Sequence, residues 1–288
     1  MSFIDAYFKH HKFLIIIPTI LLLLSAGILV NGYIQNGEWF ARSIDLRGGT
    51  IITLVMDNPV DITVVEADLA KYGTLNIREL RSVTNYKILI EGDDKLNTEP
   101  IISDMKAKYP ITGFSVETVG PALSETFWVQ TQWGIIIAFL FMGAIVFILF
   151  RNFVPSIAVI ICAFSDIFTT LAMMQVFGIE LSLAGMAAIL MLIGYSVDTD
   201  ILQTIKLLKT GNHSDIVNNL KIAMKTGLTM TMTTIGALTV LLLFNISPVL
   251  TEIAAVLLIG LIADVIFTWL QNSVILKIYC ERKFGVKN

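Results

Sequence analysis

The residues best placed to do chemistry in this chain are acids set where acids are costly. Leu192-Ile193-Gly194-Tyr195-Ser196-Val197-Asp198-Thr199-Asp200 puts two carboxylates into an otherwise apolar run. A charge deep in a membrane costs about 2.5–3.5 kcal/mol even on insertion scales, so such groups must be neutralised, paired or in contact with water. On a helix, Asp198 lies one turn from Gly194 and shares its face, whereas Asp200 points about 200° away from Asp198. Companions are Asp166 in the middle of the preceding apolar run, Asp264 in the last one, and Lys225 where another begins. A carboxyl in a low-dielectric setting can change charge as protons pass. The expected relay is therefore Asp198, supported by Asp166, Asp200 and Lys225, with Asp264 assigned mainly to packing against a partner. The plainer reading makes these acids hydrogen-bonded links between helices.

Other chemistries lack their residues. No Gly-x-x-x-x-Gly-Lys-Ser/Thr loop is present, so direct ATP use has no phosphate cradle. His10, His11 and His213 all fall near the ends of apolar runs, which argues against a histidine proton wire. Pro121-Ala122-Leu123 is a triplet found in intramembrane aspartyl proteases, but it precedes the acid-bearing runs, and Gly194-Tyr195-Ser196-Val197-Asp198 lacks a Gly-x-Gly-Asp spacing. The chain reads as no enzyme, with no metal site and no cofactor.

The elements that must hold these acids are membrane spans. With 55% hydrophobic and only 15% charged residues, most of the chain is solvated by lipid. Runs long enough to cross, at roughly 20 residues each, are Phe13 to Val30, Trp133 to Phe150, Val154 to Phe177, Leu181 to Thr204, Thr226 to Phe244 and Val249 to Leu270. Basic residues mark the cytoplasmic ends: Lys9 and Lys12, Arg151, then Lys206, Lys209, Lys221 and Lys225, and finally Lys277, Arg282, Lys283 and Lys287. The short opposite loops, Gly178-Ile179-Glu180 and Asn245-Ile246-Ser247-Pro248, carry no lysine or arginine. Both termini are thus expected in the cytoplasm of a multi-pass cell-membrane protein. The first run is read as an uncleaved anchor, because its small residues lie within it. Cys162 and Cys280 fall too far apart in this topology to pair. A net charge of -3 names no partner and gives no sign of nucleic-acid binding.

From about residue 33 to 132 the composition becomes that of a soluble domain, flanked by 1–32 (terminus and first span), 133–272 (the other spans) and a tail at 273–288. Thr50 to Met56 reads as a strand, stopped by Asp57-Asn58-Pro59. Asp61 caps a helix carrying Ile62, Val65 and Leu69, with Gly73 at its end. Leu75 to Val83 and Tyr86 to Glu91 form a hairpin around Thr84-Asn85, Asn97 or Thr98 caps a second helix, and Ile111 to Val119 is the last strand. The order β-α-β-β-α-β is that of a ferredoxin-like α+β fold.

Taken in order, the motifs resemble the SecF branch of the SecD/SecF protein-export family. Ile44-Asp45-Leu46-Arg47-Gly48-Gly49-Thr50 matches its entry into the outer domain, and Val119-Gly120-Pro121 the return to the membrane. Asp166 with Phe177-Gly178-Ile179-Glu180, and Ile193-Gly194-Tyr195-Ser196, look like its third and fourth spans. The resemblance marks Asp45, Gly48, Gly49, Gly120, Pro121, Gly194 and Tyr195 as motif residues. Bacterial relatives usually show Asn-Asp-Thr where Asp198-Thr199-Asp200 stands, and arginine near Lys225. The resemblance implies a SecD partner, a SecY-type channel and secretory polypeptides as substrates, surrounding lipid, and use of the proton gradient within the resistance-nodulation-division superfamily. A passive role, stabilising SecD or holding polypeptide, is the competing reading.

The topology is directly testable. A membrane-impermeant maleimide added to intact cells should label Asp94→Cys, with Asn218→Cys labelled only after lysis; the reverse pattern would invert the molecule.

Overall fold

The computed structural model describes residues 11–73, 75–81, 86–208, 213–244 and 247–283. Lys9, His10, Lys209, Lys287, the Thr84-Asn85 turn and the Asn245-Ile246 part of one loop lie outside these. In chain order, helix α1 (Ile16–Asn36) ends on Gly37 in the left-handed region, φ 73°, and leads through a single helical turn, Ile44–Arg47, into a small sheet. Its elements are β1 (Gly49–Met56), α2 (Ile62–Leu69), β2 (Asn76–Arg81), β3 (Tyr86–Gly92), α3 (Thr98–Lys108) and β4 (Ile111–Val119).

The four strands are all antiparallel and run in the order β2-β3-β1-β4. Alternation along the strands divides the sheet into two faces. Ile52, Leu54 and Met56 of β1 with Ile88 and Ile90 of β3 pack under Val65 and Leu69 of α2 and Ile101 and Met105 of α3, all essentially inaccessible. Asp61 caps α2 as its type and position require, its Oδ1 accepting from the Thr63 amide at 3.0 Å.

Two matched ties hold α2 and α3 together over this core. Asp68 accepts from the Lys108 ammonium and, at 2.8 Å, from the Tyr109 hydroxyl. Asp104 accepts from Lys71, in the 3-10 turn that extends α2, and at 2.6 Å from Tyr72. Hydrogen bonding to Lys108 and Tyr109 holds the Asp68 carboxyl below its usual range, and Lys71 and Tyr72 do the same for Asp104. Burial, then the bond to Asp68, pushes Tyr109 up to about 12.

Beyond the sheet, α4 (Pro121–Phe150) starts well before its apolar run, because Pro121 at the first position suits helix entry while Glu125, Gln130 and Gln132 keep the opening turns polar. Next come α5 (Phe153–Val176), α6 (Leu183–Leu208), α7 (His213–Phe244) and α8 (Pro248–Ile266), the last continuing through a π-turn at Phe267–Asn272 into α9 (Ser273–Lys283). Where a tail beyond residue 272 was expected, the helix runs on, and Leu276 and Cys280 are buried against Leu207, Ile216 and Leu220. Among the described residues six helices are long and apolar enough to span a membrane. Helices α5, α6 and α8 form the buried centre. Close approaches are bought by glycine: a side chain on Gly32 of α1 would run into Gln175 of α5, and one on Gly260 into Leu192. Cys162 and Cys280 are both free and buried.

The acid-lysine ties set a pH window for the sheet domain. Carboxyls held low contribute stability above their ordinary value near 4, lost as pH falls through and below it; Tyr109 contributes below its ordinary value near 10, lost as pH rises through about 12. The protection of α2 and α3 amides, as the ratio of unfolded-chain to observed exchange rate at each pH, should therefore be highest between about pH 5 and 9 and fall on both sides. An Asp104→Asn variant should lose part of the acid-side dependence; an unchanged profile would show that these ties do not hold the helices.

Candidate functional site

The polar site lies inside the bundle, between α5, α6 and α8. Asp166 of α5, Asp200 of α6 and Asp264 of α8 are each at most 1% exposed. Ser196, one helical turn before Asp200, donates to Asp166 Oδ2 at 2.5 Å. Thr268 Oγ1 stands 3.1 Å from Asp200 Oδ1 and 3.0 Å from Asp264 Oδ1. Asn272 Nδ2 donates to Asp200 Oδ1 at 2.7 Å and to Gln203 Oε1 at 3.2 Å, and Gln203 in turn donates to Ser273. Ser273 closes the chain with a 3.1 Å bond to the Thr268 carbonyl.

Thr268 and Asn272 lie within the π-turn and both reach Asp200, while the Thr268 carbonyl accepts both the Ser273 amide and the Ser273 hydroxyl. Trp269, also in this turn, packs over Gly227 of α7 and beside Thr199, a place that any side chain at 227 would fill.

Proton counting constrains the site. A threonine hydroxyl has one proton to give. Its contacts to Asp200 and Asp264 are satisfied together only when one of those carboxyls carries a proton and donates it to the hydroxyl. The Asp166 and Asp264 carboxyls also face one another. Asp166 Oδ1, Asp200 Oδ2 and Asp264 Oδ2 accept no hydrogen bond from a donor group among the described residues. A shared proton between facing carboxyls answers the same shortage. Among the described residues no group of three or more His, Cys, Asp or Glu is arranged to hold a metal ion.

The structure thus brings Asp166 and Asp200 together and adds Asp264, which lies inside the bundle and not on a partner-facing surface. A signal for it was present in the sequence: Asp264, Thr268 and Asn272 recur at four-residue spacing, one stripe of a helix. Asp198 is on the opposite side of α6, exposed with Gly194 and Tyr195, and Lys225 is exposed on α7. The face assignments drawn from helical spacing hold for both Asp198 and Asp200.

A second polar cluster joins the sheet to the membrane helices. Glu91 on β3, 1% exposed, accepts from Arg47 at 3.0 Å, from Asn76 at 3.4 Å and from Arg78. Arg78 also pairs at 3.2 Å with Glu180, in the turn between α5 and α6. Burial raises the Glu180 carboxyl above its usual range, more than the nearby Arg78 lowers it. The motif glycines belong to this junction. Gly48, φ 83°, lies where a Cβ would come within 3.3 Å of the Pro121 Cα, and Gly49 is paired with Val119, so the entry and return motifs are in contact. Gly120 caps α4, and Asp45 opens the single turn before the glycines. Pro121-Ala122-Leu123 therefore opens α4 at the sheet, away from the acids.

Residues 100–282 match the family model described as protein export membrane protein SecD/SecF, C-terminal. The chain belongs to the SecD/SecF family. Relatives named protein-export membrane protein SecF include one from Methanocaldococcus jannaschii, 40% identical over 94% of this chain and 96% of the relative, and one from Pyrococcus furiosus, 35% identical over 95% and 93%. SecDF, a translocon-associated membrane protein from Thermus thermophilus, shares the fold, with a TM-score of 0.75 and 20% identity over 98% of this chain. This chain spans 40% of that one.

The Thr268 hydroxyl stands between the Asp200 and Asp264 carboxyls. Thr268→Val should leave Asp200 and Asp264 without its hydroxyl, costing about 1–3 kcal/mol. A fall of several degrees in the thermal midpoint in detergent checks this; an unchanged midpoint would show that the bridge contributes nothing.

Proposed function

We propose that this chain is the SecF subunit of a protein-export assembly, working beside a SecD partner at a SecY-type channel to promote outward movement of secretory polypeptides with the proton gradient. The supporting observation is the set of three carboxyls buried across α5, α6 and α8, with too few donors unless protons are shared, in a chain whose relatives are named for protein export. The spans carry both termini in the cytoplasm, and the sheet, whose strand order fits a ferredoxin-like domain, stands outside the membrane.

The SecD partner is favoured by the 40% span on a protein whose name joins SecD to SecF. It is also favoured by an exposed face unlike a lipid-facing one. On α6 this face holds Gly194, Tyr195 and Asp198; on α7 it holds Lys225, Thr229, Thr233 and Gly236. Thr229 and Thr233 turn their hydroxyls back onto carbonyls of their own helix, at 2.8 Å each, leaving a surface of small groups suited to close helix packing. In this reading Asp198 and Lys225 meet the partner, and Asp166, Asp200 and Asp264 hold the exchanging proton. Protonation and release change the charge inside the bundle, so helix spacing has a reason to follow the gradient.

Asp166→Asn and Asp264→Asn should still co-purify with the SecD-type partner while gradient-stimulated export falls about tenfold or more, as expected for loss of an intramembrane titrating group. Export that survives both changes would leave the passive scaffold reading in place.

A further inference from the structure

The turn between α5 and α6 is held from three sides. Leu181 pairs with the segment that leads into the sheet: its amide donates to the Ala41 carbonyl at 2.8 Å, and its carbonyl accepts from the Ser43 amide at 2.9 Å. Glu180 pairs with Arg78 at 3.2 Å and accepts from Asn76 at 3.4 Å, both on β2. Ser182 donates to Glu252 of α8, while its oxygen accepts from the Gly185 amide at 3.0 Å, and Gly185 leaves the space that the Glu252 carboxylate occupies. Leu181 is 2% exposed, so the pairing is dry.

The helices that meet at this turn are those that carry the buried acids. Asp166 lies ten residues, or about 15 Å, below the end of α5. Ser196 and Asp200 are farther along α6, and Asp264 is on the helix that Glu252 begins. A change of spacing among α5, α6 and α8 is therefore delivered to the turn, and from the turn to β2 through the half-buried Arg78–Glu180 ion pair and the Asn76 hydrogen bond beside it.

We infer that Glu180 is a positioning residue that couples the state of the Asp166–Asp200–Asp264 site to the outer sheet domain through Arg78. This rests on the proposed proton-coupled role. The charged groups around the contact are Arg47, Arg78 and Glu91 from the sheet side and Glu252 and Asp45 from the helix side. The surplus of acids over the two arginines makes the Arg78–Glu180 pairing depend on where Arg78 is directed, toward Glu91 alone or toward both. Coupling between two sites is reciprocal, so breaking the contact at the turn must be felt at the acids.

The test reads the acids directly. The purified full chain would be treated with dicyclohexylcarbodiimide, which reacts with proton-bearing carboxyls from the apolar phase, and modification at Asp166, Asp200 and Asp264 followed by peptide mass spectrometry. Glu180→Arg and Arg78→Glu should each change the rate at one or more of these acids by about threefold to tenfold, the range expected of distant coupling. The double reversal, made together with Glu91→Gln so that no second carboxylate faces the acid placed at 78, re-forms the pair and should return most of the rate seen in Glu91→Gln alone. Glu180→Gln, which keeps the shape of the side chain, serves if a reversal does not fold. Unaltered rates in folded single variants, or a double reversal no closer to Glu91→Gln alone than the singles are to wild type, would overturn the inference, since a contact that only steadies the domain would not move chemistry some 15 Å away. Export is scored separately in cells depleted of the chain: if depletion leaves export intact the export role falls, whereas unaltered labelling alone removes only the coupling.

Discussion

Burying three carboxyls in one helical bundle is the constraint around which the rest of this molecule is arranged. Each carboxylate taken from water must recover its lost hydrogen bonds or hold a proton. The chain meets this with donors from every side: Ser196 from α6, Thr268 and Asn272 from the π-turn, and Gln203 and Ser273 behind them. The donors do not saturate the acceptors.

Several costly features make sense as consequences. A π-turn, a feature frequent at functional sites, carries Thr268 and Asn272, both of which reach Asp200. Gly227 makes room for Trp269 of that turn, and Gly260 lets Leu192 come close to α8 just outside the acids. On the other side of α6, Gly194, Tyr195 and Asp198 are exposed. One helix thus lines an internal polar site with one face and turns the other outward.

The sheet domain is attached with the same economy. The Gly48-Gly49 and Gly120-Pro121 motifs, some seventy residues apart in sequence, are in contact because β1 and β4 are paired neighbours. Close by, Glu91 draws Arg47, Arg78 and Asn76 together, and Arg78 reaches on to Glu180. The motifs that give the family its recognisable pattern are largely those that fix the sheet to the helices, while the buried acids depend on packing deeper in the membrane.

The sequence by itself determined the elements. Apolar length located six spans, β-branched runs and caps located four strands and two helices, and helical spacing sent Asp198 and Asp200 to opposite faces, because these are local properties of a chain with fixed periods. It missed the early start of α4, whose first turns are polar, and the continuation of α8 through the π-turn into α9, since hydropathy sees composition and not hydrogen bonding. Tertiary structure alone decided which acids share a site. Asp264 joins Asp166 and Asp200 because α8 packs against both α5 and α6; a helix's periodicity gives its own stripe but not which neighbour that stripe meets.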